Sequence, residues 1–555
     1  MKRMYMSLDG KTLKRVPKNC KGKVVVPEGV ESIAKRAFAG DMDITDITLP
    51  STLKTLGEEA FEGCTSLIKI KIPKGVDSIP KRAFANCESL ESICLPKNLK
   101  EVGKGAFEHC YLLSSIVIPE GVKSIQQRAF AYSGLTTIYM PSSLKEIGKD
   151  AFRSSEVANV IIPDSVEVIA SGAFADCSEL AEVKLPSSLR SLGVRAFDSC
   201  RKLSSIDIPK GVTTIPEECF SGCRNLTSAI FHDGLKYIKA NAFSYCRLTF
   251  IKINSTVEVI GEEAFCNNEA VGLNIGESVR SIGKNAFWFN DLKTITIDED
   301  NKYYTDAGCK VIMEKGTGKV IRGTSHSTIP NNATCIALGA FQNIPKVLVI
   351  PASVKVIETA AFFNCPAESI IVLQDGVTTL KWGAFQQQNG NSITVYIPST
   401  TNYIEGQYSS VEFHLDAANK NYRYDTEGHN IISTEGTLVW GHLLQGIPTE
   451  GVSRIEAVNS GACQYSVLKV PENITYISDN ICRLLYTYSG FKHLILYKGT
   501  RFGMYNIEKT NCEITVIVPQ DKSGVGISKN IEYVIPKGTT KDEINAFLGN
   551  DSIIA

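Results

Sequence analysis

The sequence predicts a repeat solenoid: a right-handed coil with a parallel β-sheet on one face, irregular or short helical segments on the other, and inserted β-hairpins. Three observations predict it. A Phe, usually in an Ala-Phe pair, recurs at Phe38, Phe61, Phe84, Phe107, Phe130, Phe152, Phe174, Phe197, Phe220, Phe243, Phe265 and Phe287, with gaps of 22 or 23 residues, and after a gap of 54 it returns at Phe341, Phe362 and Phe385. A Pro recurs in step with it, at Pro27, Pro50, Pro73, Pro96, Pro119, Pro141, Pro163, Pro186 and Pro209. A short apolar run precedes each Pro. A fixed period over this many copies is the signature of a stacked array.

The unit that starts at Phe61 shows how one coil is built. Its apolar positions are Phe61, Cys64, Leu67, Ile70, Ile72, Val76 and Ile79. Ile70 and Ile72 are two apart and point to one side of a short strand. Pro73 ends the strand because it cannot donate to a ladder. Gly75 supplies a turn. Val76 and Ile79 bring the chain back, and Ala83-Phe84 closes the coil. The apolar side chains of one coil, at roughly 1.5–3 kcal/mol each, barely offset its chain entropy. Coils are therefore expected to fold only when stacked, with caps at the ends.

Composition narrows the function classes. The 555 residues carry 59 basic and 59 acidic side chains, a net charge of zero, and 43% are hydrophobic. Nucleic-acid binding needs a basic footprint that this balance does not provide. No run approaches the roughly 18 apolar residues of a membrane helix, so membrane insertion is not expected. The start, Met1-Lys2-Arg3-Met4-Tyr5-Met6, is basic but lacks the apolar stretch of a signal peptide.

The pattern A-F-x-x-C-x-x-L-x-x-I-x-I-P resembles the BspA-type leucine-rich repeat, a family found on the surfaces of some bacteria and anaerobic protists. The resemblance covers residues 24–400 well and 401–540 loosely. It implies a leucine-rich repeat fold marked by Phe and Cys. The general consensus places Asn or Cys three residues after the last strand Leu, where this chain has Gly29, Thr52, Gly75, Asn98, Gly121, Ser143 and Ser165. The resemblance further implies an adhesin or host-protein binder at the cell surface or secreted. The alternatives are an intracellular, cytoplasmic interaction scaffold and, after it, a hydrolase or other enzyme, for which the hairpin at 415–441 is the place to search.

Two segments break the period, Ile297–Gly323 and Leu415–Gly441. They resemble each other, with Asp298 matching Asp416, Tyr304 matching Tyr424 and Ile312 matching Ile432. Each reads as a β-hairpin around a Gly turn, at Gly316 and Gly436. Met6–Leu13 parallels Ile432–Leu438, so the chain is expected to begin inside a third hairpin, with an upstream piece missing. The expected organisation is a hairpin-like cap over 1–27, regular repeats over 28–296, a hairpin insert over 297–325, repeats over 326–412 and a second insert over 413–445. Degenerate repeats follow over 446–540, and a helical cap over 541–555, where Thr540 and Glu543 have capping-box spacing. In the degenerate part Ala462-Cys463 replaces Ala-Phe, and strand-like runs stand at Val467–Val470, Leu494–Leu496, Ile514–Val518 and Ile531–Ile535.

The residues that might carry chemistry read as architecture. Of 17 Cys, eight stand three residues after a Phe: Cys64, Cys87, Cys110, Cys177, Cys200, Cys223, Cys246 and Cys365. One per coil makes a line, not the converging cluster a metal needs, and buried thiols serve as small hydrophobes. Their odd number excludes a complete disulfide framework. None of the seven His forms a metal or catalytic pair; His429 and His442 share the second insert but read as exposed turn residues. Glu58-Glu59, Glu217-Glu218 and Glu262-Glu263 fill a position that elsewhere holds Lys35-Arg36 or Lys81-Arg82, which reads as a solvated face. Asp298–Lys302 is a poor calcium loop, with Tyr303 where Gly is needed. Lys315–Lys319 lacks the spacing of a phosphate loop. No catalytic residues, metal ligands or cofactors are expected.

Binding is expected on the sheet face, where outward residues flank the buried Ile of each rung. These include Lys69, Lys71, Ser115, Val117, Thr137, Tyr139, Asn159, Ile161, Glu182, Lys184, Phe250, Lys252, Thr294 and Thr296. Lys69, Lys71, Tyr139, Ile161, Lys184, Phe250 and Lys252 are the candidate ligand-binding set. Exposed aromatic anchors suit an interface; β-branched residues there also satisfy strand propensity. The function expected is a non-catalytic, monomeric binding protein with a protein or glycoprotein ligand.

Overall fold

In the computed structural model the described residues are 4–17, 20–387, 390–405, 410–425, 430–440, 450–455, 467–477, 493–497, 500–502, 513–518 and 531–535. They form two compact units, Met1–Tyr304 and Thr305–Ala555. The division falls within the 297–325 break.

In the first unit the apolar run before each Pro is a strand. Lys69–Lys71 pairs in parallel with the next rung, Lys69 opposite Ser92, Ile70 opposite Ile93 and Lys71 opposite Cys94. The middle residue is 4% exposed at Ile70 and 3% at Ile116, and Ile72 and Ile118 two positions on are buried as well, so these rungs turn alternate apolar side chains inward. The returning Val-x-x-Ile segment is a strand as well, which the sequence reading did not foresee. Ser78–Ile79, Glu101–Val102 and Ser124–Ile125 pair in parallel and open a six-rung run. The coil therefore has two sheet faces. In-register stacking lets Ile79, Val102 and Ile125 pack as one buried row.

The third side of the coil is neither sheet nor helix. Irregular or short helical segments were expected there; the segments are irregular, and no helix occurs among the described residues. The reason lies in the backbone around each Phe. Arg82 and Asn86, two residues either side of Phe84, have φ of 54° and 58°, and Asn241 and Tyr245 flank Phe243 with 54° and 56°. Left-handed residues at this spacing cannot continue a right-handed helix. Tight turns form instead, with the Ala60 amide donating to the Gly57 carbonyl at 3.3 Å. The Phe61 amide turns outward and donates to the Ala83 carbonyl of the next coil at 2.9 Å.

The Phe rings sit inside these turns and form one column. From Phe38 to Phe287 successive centroids are 4.9 to 5.8 Å apart, with ring planes within 26° of parallel. Phe341, Phe362 and Phe385 form a matching column in the second unit. The Cys three residues after each Phe is buried, as expected, but it is more than a small hydrophobe. In the first unit its Sγ donates to the carbonyl of the Phe one coil back: Cys64 to Phe38, Cys87 to Phe61 and Cys200 to Phe174, each at 3.2 Å, whereas Cys365 of the second unit reaches its own coil's Phe362 carbonyl at 3.5 Å. Where Asn replaces Cys the amide does the same, Asn268 Nδ2 reaching the Phe243 carbonyl at 2.8 Å. The position selects a small donor for a carbonyl that would otherwise be buried unpaired. Charged pairs beside the Phe also prove ordered. Lys35 and Arg36 stand over Glu58 and Glu59 of the next coil at 2.9 and 3.0 Å. Opposite signs at this position are thus partners in these two coils, each exposed pair contributing roughly 0–1 kcal/mol.

In the first coil this donor position holds Asp41, whose half-buried carboxyl is pushed up to about 6, mainly by burial, with Arg15 opposing. A folded-state value above the ordinary 3.8 means that ionisation opposes folding. The stability this group allows is full below about pH 3.8 and is lost as pH rises through about 6. The melting temperature of Asp41→Asn minus that of the parent should therefore grow between pH 4 and pH 7. A difference constant with pH would exclude this role.

The breaks are hairpins. Ile312 and Met313 pair antiparallel with Arg322 and Val320, and Ile431 and Ile432 with Trp440 and Leu438. At the N-terminus Tyr5 and Met6 pair with Arg15 and Leu13. Each second strand then enters the short-strand sheet in parallel: Leu13 opposite Ile33, Val320 opposite Ile336, Leu438 opposite Ile455. Pairing and hydrogen bonding correct the alignment of the two inserts. The Tyr304 hydroxyl accepts from the Ile282 amide and the Tyr422 hydroxyl from the Ile404 amide, so Tyr304 corresponds to Tyr422 rather than Tyr424, and Ile312 to Ile431. The left-handed turn glycine in the first insert is Gly318 (φ 70°), the counterpart of Gly436 (φ 78°), rather than Gly316.

In the second unit, strands Val347–Ile350, Ile370–Leu373, Ile393–Ile397 and Val411–Leu415 form the long-strand sheet. The runs expected near the C-terminus are the strands Val467–Lys469, His493–Tyr497, Glu513–Val518 and Ile531–Ile535, the last antiparallel to its neighbour. The Ala462-Cys463 substitution, the helical cap over 541–555, His429 and His442 lie outside the described residues.

Candidate binding face

Alternation along each long strand decides what reaches solvent. With Ile138 turned inward, Thr137 and Tyr139 must face out, and Tyr139 is 61% exposed. Ile161 is 81% exposed and Phe250 54%. Lys69, Lys71, Lys184 and Lys252 are exposed too. All seven candidate residues stand on the long-strand face of the first unit.

They do not form one cluster. Reading the outward positions rung by rung, Lys71 is opposite Cys94, Val117 opposite Tyr139, and Ile161 opposite Lys184. Consecutive rungs thus bring together Val117, Tyr139 and Ile161, with Lys69 and Lys71 toward the N-terminal side. Phe250 and Lys252 lie five rungs beyond Tyr139, about 24 Å at one rung per 4.8 Å. They belong to a separate group with Gly272 and Asn274. The ring of Phe250 lies across Gly272, where an added Cβ would come within 2.5 Å of it. Gly272 is what lets the ring lie across the face, and its role was not visible without the register.

Sequence reasoning also missed Cys94 and Ile230, which are exposed on the same face. Aligning the repeats at the strand would have found both. In the second unit the corresponding outward row is Val349, Val372, Tyr396 and His414, in register. Tyr396 stacks on His414 with centroids 4.8 Å apart, and His414 Nε2 is 3.2 Å from Glu412. A cleft of about 800 Å³ beside this pair is also lined by Gln374, Asp375 and Asp416.

Several other polar and thiol side chains among the described residues hold the coil together. Burial pushes the thiols of Cys64, Cys177 and Cys246 up to about 12, which holds them protonated and weakly nucleophilic. Glu277, Asp298 and Asp300 bring carboxylate oxygens within 4.8 Å of one another, and all three are exposed. Asp298 accepts from the Asp300 amide at 3.1 Å, as in an ordinary Asx turn. Asn301 of the same segment is buried and holds backbone: its Nδ2 donates to the Gly276 and Val279 carbonyls, and its Oδ1 accepts from the Tyr303 and Tyr304 amides.

Comparison with known proteins agrees with this architecture. A family model described as a BspA type leucine rich repeat region, in six copies, matches residues 31–158, 145–272, 238–309 and 322–412. A leucine-rich repeat protein from Bacteroides ovatus is 23% identical over 75% of this chain and 98% of its own, with a TM-score of 0.48. One from T. pallidum is 32% identical over 36% of this chain and 87% of its own, with a TM-score of 0.28. A leucine-rich cell surface protein of Faecalibacterium prausnitzii is 18% identical over 94% of this chain and 93% of its own, with a TM-score of 0.28. A search of curated protein sequences found no match.

Proposed function

We propose that this chain, which belongs to the BspA-type leucine-rich repeat family, is a non-catalytic, adhesin-like binding protein that presents its long-strand face to a protein or glycoprotein ligand. The family supports an interaction role in general terms. The observation that carries the finer reading is the run of exposed apolar side chains, Val117, Tyr139 and Ile161, on three consecutive rungs of the coil. Adjacent exposed apolar groups are unfavourable in water and suit an interface. The buried thiols and paired charges serve the coil itself, which favours binding over catalysis.

Immobilised protein used to capture partners from extracellular-matrix and cytosolic extracts provides the test, with affinity then measured on the captured partner. Tyr139→Ala is expected to weaken that affinity about tenfold, as truncation of an interface anchor does, and to leave the melting temperature unchanged. Phe250→Ala reports whether the second aromatic group takes part. If both variants bind like the parent, this face is not the binding surface.

A further inference from the structure

We propose that the stretch of this face from Lys69 to Ile161 binds an extended polypeptide segment of about six residues, acidic at one end and aliphatic or aromatic along the rest. This rests on the sheet-face reading and specifies its ligand. The row Lys71, Cys94, Val117, Tyr139, Ile161 is basic at one end only and uncharged over its other four rungs. Beside it runs Ser92, Ser115, Thr137, Asn159, also uncharged but able to donate and accept hydrogen bonds. In a chain with 21% charged residues, eight outward positions in succession carry none. Charge returns on the rung after Ile161, with Glu182 and Lys184.

The basic end has unusual lysines. On neighbouring coils Lys35, Lys54, Lys100 and Lys145 each pair with a carboxylate one coil away. Lys69, Lys71 and Lys74 line a cleft of about 600 Å³, and among the described residues none of them forms such a pair. Two carboxylates share the cleft, Glu28 and Asp46. That of Glu28 is held by the Ser51 amide and hydroxyl at 3.0 Å each. Asp46 stands opposite Lys69 in the ladder without forming an ion pair with it, so among the described residues the three ammonium groups are available to an incoming carboxylate, and their Cys94 side opens onto the apolar row.

Length sets the size of the ligand. Lys71 to Ile161 is four rung steps, about 19 Å, which an extended chain spans in about six residues. A sulfated glycan carries charge along its whole length and would need lysines between Cys94 and Ile161 on this face, where the outward positions carry none. A polypeptide can be acidic at one end and apolar at the other, which is the pattern of the face.

The test pans a library of random linear dodecapeptides against the full chain, then measures enriched peptides by fluorescence anisotropy. Enriched sequences should share a cluster of Asp or Glu next to aliphatic or aromatic residues. Lys69→Glu with Lys71→Glu should weaken them about tenfold or more and remove the salt dependence of binding, and Tyr139→Ala should weaken them comparably. Lys69→Gln with Lys71→Gln, which removes charge without reversing it, should give an intermediate loss. Peptides that need Tyr139 but bind equally well to the lysine variants overturn this inference and leave the sheet-face reading standing. Peptides indifferent to both sets of variants overturn both. Heparin binding that the lysine substitutions abolish, with no acidic peptide enriched, assigns the cleft to a glycan and overturns the proposal. Self-association in sedimentation velocity that Tyr139→Ala abolishes assigns the face to a second copy and does the same.

Discussion

Replacing Phe174 by Ala is expected to destabilise the first unit by about 3–5 kcal/mol, the usual cost of truncating a fully buried Phe. Phe174 is 0% exposed and stacks between Phe152 and Phe197 at centroid distances of 5.1 and 5.3 Å. Truncation removes its transfer free energy and both ring contacts, and leaves a cavity bounded by ladders. The Phe174 amide donates to the Ala196 carbonyl at 2.8 Å, so the backbone on either side is tied to its neighbours and cannot close the gap easily. In a solenoid each coil contacts only its neighbours, so the loss should divide the melting transition as well as lower it. Thermal unfolding followed by circular dichroism and hydrogen exchange checks this. Phe174→Leu, which retains most of the volume, should lose less than half as much. A Phe174→Ala loss below about 1 kcal/mol would show that the column is not the main packing element.

Asn301→Asp is expected to cost about 2–4 kcal/mol, from the penalty of about 1–3 kcal/mol for each buried polar group left without a partner. Asn301 is fully buried. Its amide nitrogen donates to two carbonyls of the preceding coil, Gly276 at 2.8 Å and Val279 at 3.0 Å. A carboxylate of the same shape keeps the acceptor facing Tyr303 and Tyr304 but turns a second acceptor onto those two carbonyls. Asn301→Ala, which loses all four bonds but adds no charge, should be less harmful near neutral pH, and the Asp variant should recover partly in acid as it protonates. Asn419 repeats the arrangement, donating to Pro398 and Thr401, and Asn419→Asp should behave alike. If Asn301→Asp melts with the parent, the Asn bridge is not what anchors the break to the coil before it.

The coil was legible in the sequence because its signals are local and repeated. Phe84, Pro96 and the Ile pair of each rung recur at fixed intervals, and each has a direct physical reading. Tyr139, Ile161 and Phe250 were legible as outward residues because strand alternation settles side from position. What they form together was not. Val117, Tyr139 and Ile161 adjoin because they stand on three consecutive coils, Val117 directly opposite Tyr139, while Phe250 stands apart. The ion pair between Arg36 and Glu59 was hidden for the same reason: 23 residues apart in the chain, they are one coil apart in space.

The Cys position misled in a different way. Burial alone accounts for a ladder of thiols, and the sequence offers no view of the carbonyl each one meets. The presence of Asn268 and Asn290 at that place was the available hint, since a purely apolar site would not accept an amide. Whether the turn side is irregular or helical was left open because periodicity does not report φ; Asn86, Asp176 and Asn267 at left-handed positions become meaningful only as a set.

By itself, then, the sequence determined the period, the family resemblance, the identity of the core residues and the side of each strand that meets water, because these follow from local chemistry repeated many times. Tertiary structure alone decided which residues become neighbours across coils. It joined the Phe rings into a column, paired charges of opposite sign, matched Tyr304 with Tyr422, and left Lys69, Lys71 and Lys74 without an ion pair among the described residues, beside an uncharged row. The physical reason is that these properties depend on stacking register, which a single coil cannot express.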